Sequence, residues 1–248
     1  MSSFLERAQR GFAKAVQKSG VECLHTELPN CEPLCNMEVL SIKLDSDEQR
    51  YATLMRYALS NEFGSINFLI RDEKSGKKTV MNAELISSQG FRVQHQDSGE
   101  DVMIVTLASH SSDSIGKIVH PSGATVYKVH SDGAQTYRVQ RAVSAVGGAP
   151  SPFVLRIEKV LVSLYPLAKM MGFIGASCVY RFEDCDGRVL GYVRPKLVMR
   201  KNTLILKFIN GQGNAQVRGA MLGAALLFVL HEAYPEVRNL LREGMHSS

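Results

Sequence analysis

Between residues 65 and 210 apolar and polar positions alternate in short runs, and each run is closed by a turn signal. A period of two is the pattern of half-buried β-strands. The runs cover 65–71, 78–86, 91–96, 102–108, 115–120, 124–130 and 135–141, then 153–165, 174–183, 188–200 and 203–209. Between them stand Lys74-Ser75-Gly76, Asp97-Ser98-Gly99, Pro121-Ser122-Gly123, Ser131-Asp132-Gly133 and Asp184-Cys185-Asp186-Gly187. In the last of these, Asp-Gly supplies the positive-φ residue of a tight hairpin. Roughly ten to twelve strands of this regularity predict an antiparallel sandwich or barrel, not a βαβ fold.

The ends of the chain follow a different period. Residues 2–18 predict a helix whose Ser3 and Glu6 have capping-box spacing. Phe4, Leu5, Ala8, Phe12, Ala15 and Val16 share one face, with Arg7, Arg10, Lys14 and Lys18 beside it. Such a basic amphipathic helix suits a membrane surface, where Phe and Leu enter the interface and the cations meet anionic headgroups. A mitochondrial presequence is a variant of that reading, and packing on the domain is the alternative. Residues 19–36 read as a Cys- and Pro-bearing linker, and 46–60 as a helix capped by Ser46. At the far end, 215–234 predicts a helix apolar on nearly every face from Ala220 to Leu230. A helix of that kind must be enclosed by lipid or by protein, and the β-rich body is the natural enclosure. Gly219 and Gly223 thin it for close approach of strands. Pro235 ends the run and 236–244 reads as a polar tail.

Composition changes this picture little. Hydrophobic residues make up 45% and charged residues 21% of the 248, an ordinary globular balance that excludes a disordered chain or a coiled-coil rod. The net charge of +5 is mild for a nucleic-acid domain, so no nucleic-acid partner is expected; it is compatible with an anionic membrane surface. Five scattered cysteines suit a reducing compartment. The expected location is intracellular, in the cytoplasm or peripheral to a membrane. No run reaches 18 uninterrupted apolar residues, which is short of a confident membrane span.

A β-meander that ends in one wholly apolar, Gly/Ala-containing helix resembles the tubby C-terminal-like superfamily, which includes tubby domains, the LURP-one-related proteins and the phospholipid scramblases. The nearest local match is Val217-Arg-Gly-Ala-Met-Leu-Gly-Ala-Ala-Leu-Leu-Phe-Val-Leu-His-Glu232, similar to the helix that ends scramblase domains. Asp186-Gly-Arg-Val-Leu-Gly-Tyr-Val193 and Pro121-Ser-Gly-Ala-Thr-Val-Tyr-Lys-Val129 look like that family's hairpins. The resemblance implies a closed antiparallel barrel of about twelve strands around the C-terminal helix, mainly β. It places residues 36–248 in the barrel domain, behind an N-terminal helix and linker at 1–35. It also implies recognition of anionic phospholipid headgroups at a membrane surface, without catalysis. Arg194 and Lys196 sit two apart, hence on one face of a strand, with Arg200 and Lys201 close by, a cluster able to chelate phosphate oxygens. The acidic calcium segment of scramblases has no counterpart, since 208–217 holds no carboxylate. Two other readings stay open: a protein-interaction or scaffold subunit on the same barrel, and an enzyme with a pocket in it.

Cofactor and metal chemistry find little support. Gly211-Gln212-Gly213 lacks the third glycine of a dinucleotide loop, and no strand follows its helix to close a βαβ unit. Cys23, His25, Cys31 and Cys35 do not have zinc-ligand spacing. Cys31 and Cys35 are potential acylation sites, with a buried or inert thiol as the alternative. His95, His110, His120 and His130 are read as edge or loop residues. No catalytic motif is present, so no catalytic residue, metal site or cofactor is assigned.

Overall fold

The computed structural model describes residues 27–60, 64–86, 90–108, 114–142, 153–162, 165–171, 178–196 and 203–246. The amphipathic segment 2–18 lies outside them. Twelve strands form the body: β1 Val39–Leu44, β2 Ile66–Asp72, β3 Lys78–Ile86, β4 Gly90–His95, β5 Asp101–Leu107, β6 Ser114–Val119, β7 Thr125–Ser131, β8 Thr136–Arg141, β9 Phe153–Leu161, β10 Cys178–Glu183, β11 Val189–Pro195 and β12 Leu204–Phe208. Each pairs antiparallel with the next, and β12 pairs with β1, so the sheet closes on itself and leaves no unpaired edge.

Inward rows follow from the pleat. Leu85, Phe91, Val105, Ile118 and Tyr127 are successive register partners across β3–β7, and all five are buried. The hairpins obey their turn chemistry. At Asp184–Gly187 the glycine takes φ +78°, and the Asp184 carboxylate accepts from the backbone N–H groups of Asp186 and Arg188, each at 2.9 Å.

Among the described residues, four α-helices accompany the barrel: α1 Asp47–Ser60, α2 Tyr165–Met170, α3 Ala215–Phe228 and α4 Pro235–His246. Ser46 caps α1 as expected, its hydroxyl accepting from Gln49 N–H at 3.2 Å. Helix α3 runs through the barrel. Asn214 caps it, accepting from Val217 N–H at 2.9 Å, and every residue from Arg218 to Phe228 is buried. Strands meet α3 from several sides. A Cβ added at Gly116 of β6 would lie 2.6 Å from Leu227, one at Gly191 of β11 2.7 Å from Met221, and one at Gly223 of the helix 2.6 Å from Ile118 of β6. Phe228 stacks on Tyr180 of β10 with ring centroids 3.8 Å apart and planes 4° apart, and its ring lies 5.3 Å from that of Tyr137 on β8. Glycine on both helix and strand is what lets backbone approach so closely.

Several expected boundaries shift. The long run at 153–165 stops as a strand at Leu161 and continues into α2, where Pro166 sits in the first turn. Of the runs 188–200 and 174–183, the described residues form strands at Val189–Pro195 and Cys178–Glu183, while 197–200 and 174–177 lie outside the described residues. Residues 236–244 do not form a polar tail: α4 buries Val237 and Leu241, four apart on one face. The described part of the expected linker belongs to the core, through Leu28, Cys31 and Leu34. Val39–Leu44, left unassigned by pattern, supplies β1.

Candidate functional site

Chain direction alone sorts the connections. In a closed antiparallel barrel of consecutive strands, the links β1–β2, β3–β4, and so on through β11–β12, all fall at one end. Helix α1 is the β1–β2 link and α2 lies in the β9–β10 link. Helix α3 enters after β12 at the opposite end, so its C-terminus emerges beside α1 and α2. Arg50 of α1 reaches Glu236 of α4 there, at 2.5 Å.

This end carries the large exposed apolar side chains. Tyr51, Met55 and Leu59 repeat every four residues along α1, and Leu59 is 81% exposed. Val160 and Leu161 end β9, and Leu167, Met170 and Met171 stand on and after α2, with Met170 79% exposed. Among the described residues, every large hydrophobic side chain that is strongly exposed lies here.

Beneath the rim, a polar group closes the core. After Phe228 the helix widens into a π turn, Val229–Ala233, which turns Glu232 toward the strands. Lys159 Nζ and Tyr180 Oη both donate to Glu232 Oε1, at 2.8 and 2.7 Å. Burial pulls the Lys159 ammonium down, but Glu232 outweighs it and the pKa is raised. Burial pushes the Tyr180 hydroxyl up, and it pushes the Cys178 thiol up to about 11 with Glu232 adding to it. Neither group is a nucleophile near neutral pH. The arrangement orients the helix end against β9 and β10 and keeps the one carboxylate compensated.

The opposite end is sealed by Arg218. Its guanidinium donates to the backbone carbonyls of Leu34, Cys35 and Met37 at 2.8–3.0 Å and of Gln212 at 3.2 Å, with Ile209 at 3.5 Å. It also lies 4.9 Å from the Phe208 ring centroid. Gln216 pairs with both backbone groups of Leu28, at 2.7 and 2.8 Å. An open cleft of about 410 Å³ lies nearby, lined by Asn30, Glu32, Pro33, Val80, His95, Asp97, Ser98 and Glu100. Several of its polar groups are engaged by protein: His95 Nε2 is 2.7 Å from Asn30 O, Asp97 pairs with Lys78 at 2.8 Å, and Ser98 bonds Glu100.

Of the four expected headgroup ligands, Arg194 is exposed on β11, while Lys196 is not free. Its ammonium crosses to both oxygens of Glu73, each at 2.8 Å. Burial raises the Glu73 carboxyl, but Lys196 and Ser41 prevail and hold it below its usual range. Arg200 and Lys201 lie outside the described residues, as do Phe4, Arg7, Arg10, Phe12, Lys14 and Lys18. Cys31 is buried, its thiol pushed up to about 12 by burial, and Cys35 is exposed. Cys23, His25 and His110 lie outside the described residues. Sequence reasoning missed the Lys159–Glu232–Tyr180 group, whose three members are remote in the chain. It also passed over Arg218, although a lone charge near the start of an apolar helix is a legible signal.

No single described helix is long and apolar enough to cross a membrane; α3 through the π turn, taken with α4, would pass only as a pair bent by 105°. The chain matches no protein-family model, no curated protein and no solved structure.

Proposed function

We propose that the protein is a non-enzymatic barrel of the tubby-like kind that docks on the surface of an anionic phospholipid membrane. The observation that carries this reading is the gathering of exposed Tyr51, Met55, Leu59, Leu161, Leu167, Met170 and Met171 at one end of the barrel. Exposed apolar groups of this size cost free energy in water, and contiguous patches of them mark interaction surfaces. A net charge of +5 and the basic amphipathic segment 2–18 favour an anionic bilayer as the occupant. The resemblance of the C-terminal helix to that of scramblase domains points the same way. The barrel then acts as a rigid body, with α3 holding its interior shut while the rim dips into the interface.

Vesicle flotation tests this. The protein is expected to float with vesicles containing phosphatidylserine at low salt and to remain behind with phosphatidylcholine alone. Met170→Glu/Met171→Glu should reduce binding by about tenfold, because two interfacial side chains each lose part of the roughly 1.5–3 kcal/mol of a full burial. No flotation of the unaltered protein at low salt would overturn the reading. A rim-dependent complex with a protein that survives detergent would replace it with the scaffold reading.

A further inference from the structure

We propose that Met55, Met170 and Met171 are a peroxide-sensitive modification site, and that their conversion to sulfoxides releases the rim from the bilayer. The inference rests on the membrane reading above and adds its regulation. Methionine is 10 of the 248 residues, yet it supplies three of the eight large hydrophobic side chains that are strongly exposed among the described residues. Met55 is 61% exposed, Met170 79% and Met171 58%. The interior treats the same residue differently. Met81 of β3, Met103 of β5 and Met221 of α3 are fully buried, and Met37 packs half-buried against the core. The fold thus shields its inner sulfurs and opens three at one end of the barrel.

Local structure explains the exposure. Met55 stands between Tyr51 and Leu59 on the outward stripe of α1, a helix that buries only Thr53. Met170 and Met171 are consecutive and so point about 100° apart around the helix axis; with both exposed, the end of α2 is uncovered in two directions. Met171 N–H donates to Leu167 O at 3.0 Å, which fixes the pair at the final turn. An unbranched, polarizable thioether adapts to an irregular apolar contact. Leucine would serve the same contact, and what methionine adds at this place is an oxidisable sulfur.

The oxidant is a peroxide, hydrogen peroxide in the simplest case. The thioether sulfur attacks one peroxide oxygen, and the O–O bond breaks as the S–O bond forms. Sulfur loses two electrons; the attacked oxygen passes its proton to the departing hydroxide, which leaves as water. The product is a polar sulfoxide whose oxygen accepts hydrogen bonds, and acyl chains offer it no donor. Exposed thiols do not compete at this end. Cys185 lies in the β10–β11 link and Cys35 beside Arg218, both at the opposite end of the barrel, while Cys178 near the rim is buried. An effect of peroxide on the rim is therefore an effect on its methionines. Sulfoxide reductases reverse the product, so the site resets.

The test is flotation with phosphatidylserine vesicles before and after hydrogen peroxide, with peptide mass mapping to locate each added oxygen. Met55, Met170 and Met171 should take up oxygen ahead of Met81, Met103 and Met221. A fully buried methionine contributes roughly tenfold or more to partitioning, so losing part of three such contributions should weaken flotation by at least about tenfold. Methionine sulfoxide reductases A and B together should restore it, since each acts on one epimer. Met55→Leu/Met170→Leu/Met171→Leu keeps the rim apolar and removes its sulfurs; whatever its starting level, its flotation should not change with peroxide. Met55→Gln/Met170→Gln/Met171→Gln puts a polar oxygen at each position without an oxidant and should float about as weakly as the oxidised protein. Its melting temperature should match that of the unaltered protein, which separates lost binding from lost folding. Undiminished flotation of protein whose three rim sulfurs are oxidised would overturn the switch and leave the membrane reading in place. So would an equal proportional release of the leucine variant by peroxide. Failure of the unoxidised, unaltered protein to float at low salt would overturn the two together.

Discussion

Arg218→Met is the substitution that asks most of the barrel's construction. Methionine keeps much of the side chain's length and apolar contact, including the approach to Phe208, and removes only the donors. The guanidinium serves five backbone carbonyls, and the side chain is 4% exposed, so water does not replace it freely. Two of the five carbonyls have other partners: Leu34 O also accepts from Met37 N, and Ile209 O from Gln212 N. The loss therefore falls on Cys35, Met37 and Gln212. Leaving a buried acceptor unpaired costs about 1–3 kcal/mol. Removing the charge returns part of that, because a buried guanidinium without a carboxylate carries its own desolvation cost. A net loss of ~3 kcal/mol follows, a large share of the 5–15 kcal/mol typical of a domain. For a chain of this size it corresponds to a fall of about 6–12 °C in melting temperature. Urea unfolding followed by far-UV circular dichroism would measure it. Arg218→Lys should recover only part of the stability, since an ammonium cannot reach carbonyls on both the 34–37 turn and the 209–212 loop with one rigid fork. A methionine variant within 0.5 kcal/mol of the parent, or about the spread of an ordinary surface change, would refute this account of how the 27–36 segment is fastened to α3.

Three further outcomes follow from the interior. Gly116→Ala should cost about 1–3 kcal/mol by overpacking, because its Cβ would lie 2.5 Å from the Thr106 carbonyl oxygen as well as against Leu227; denaturant midpoints read this directly, and an unchanged midpoint would mean that the helix is not pressed against β6. Lys159→Met and Glu232→Gln should each destabilise by roughly 1–3 kcal/mol and the double variant by less than their sum, a coupling that a double-mutant cycle measures; strict additivity would show that the pair is not a unit. Cys31 and Cys178 hold their protons more tightly folded than unfolded, with folded values near 12 and 11 against 9.0. Their contribution is therefore complete below pH 9 and is lost as pH rises toward those values, by a few kcal/mol on the linkage scale of about 1.4 kcal/mol per unit. Cys31→Ala/Cys178→Ala should flatten the alkaline side of the stability profile, and an unchanged profile between pH 9 and 11 would deny the burial.

Much of the architecture could be read from period and punctuation. The barrel's hairpins fell where Gly followed Asp or Ser, and the enclosed helix announced itself by having no polar face between Ala220 and Leu230. The boundary error at β9 has a plain cause. Apolar residues continue past Leu161, the last ladder partner of that strand among the described residues, so pattern alone could not tell where the strand gives way to α2. Strand β1 carries a clean alternation, Leu40, Ile42 and Leu44 inward, yet its six residues stand beside a helix and remote from their partner β12. The candidate site was far less legible. Lys196 looked like a free cation because Glu73, 123 residues away, is invisible to local spacing. Exposure at Met170 and Met171 likewise depends on where the strand gives way to α2.

The claim beneath all of this is that α3 is sheathed by its own strands, with or without a bilayer. Hydrogen exchange of the amides from Arg218 to Leu230, followed by mass spectrometry in water and again on phosphatidylserine vesicles, measures it directly. The expected result is exchange only through global unfolding, no faster than in β6 and β11, and the same protection in both conditions. Exchange of these amides ahead of the strands in water, with protection gained only on vesicles, would contradict it and assign the helix to the membrane.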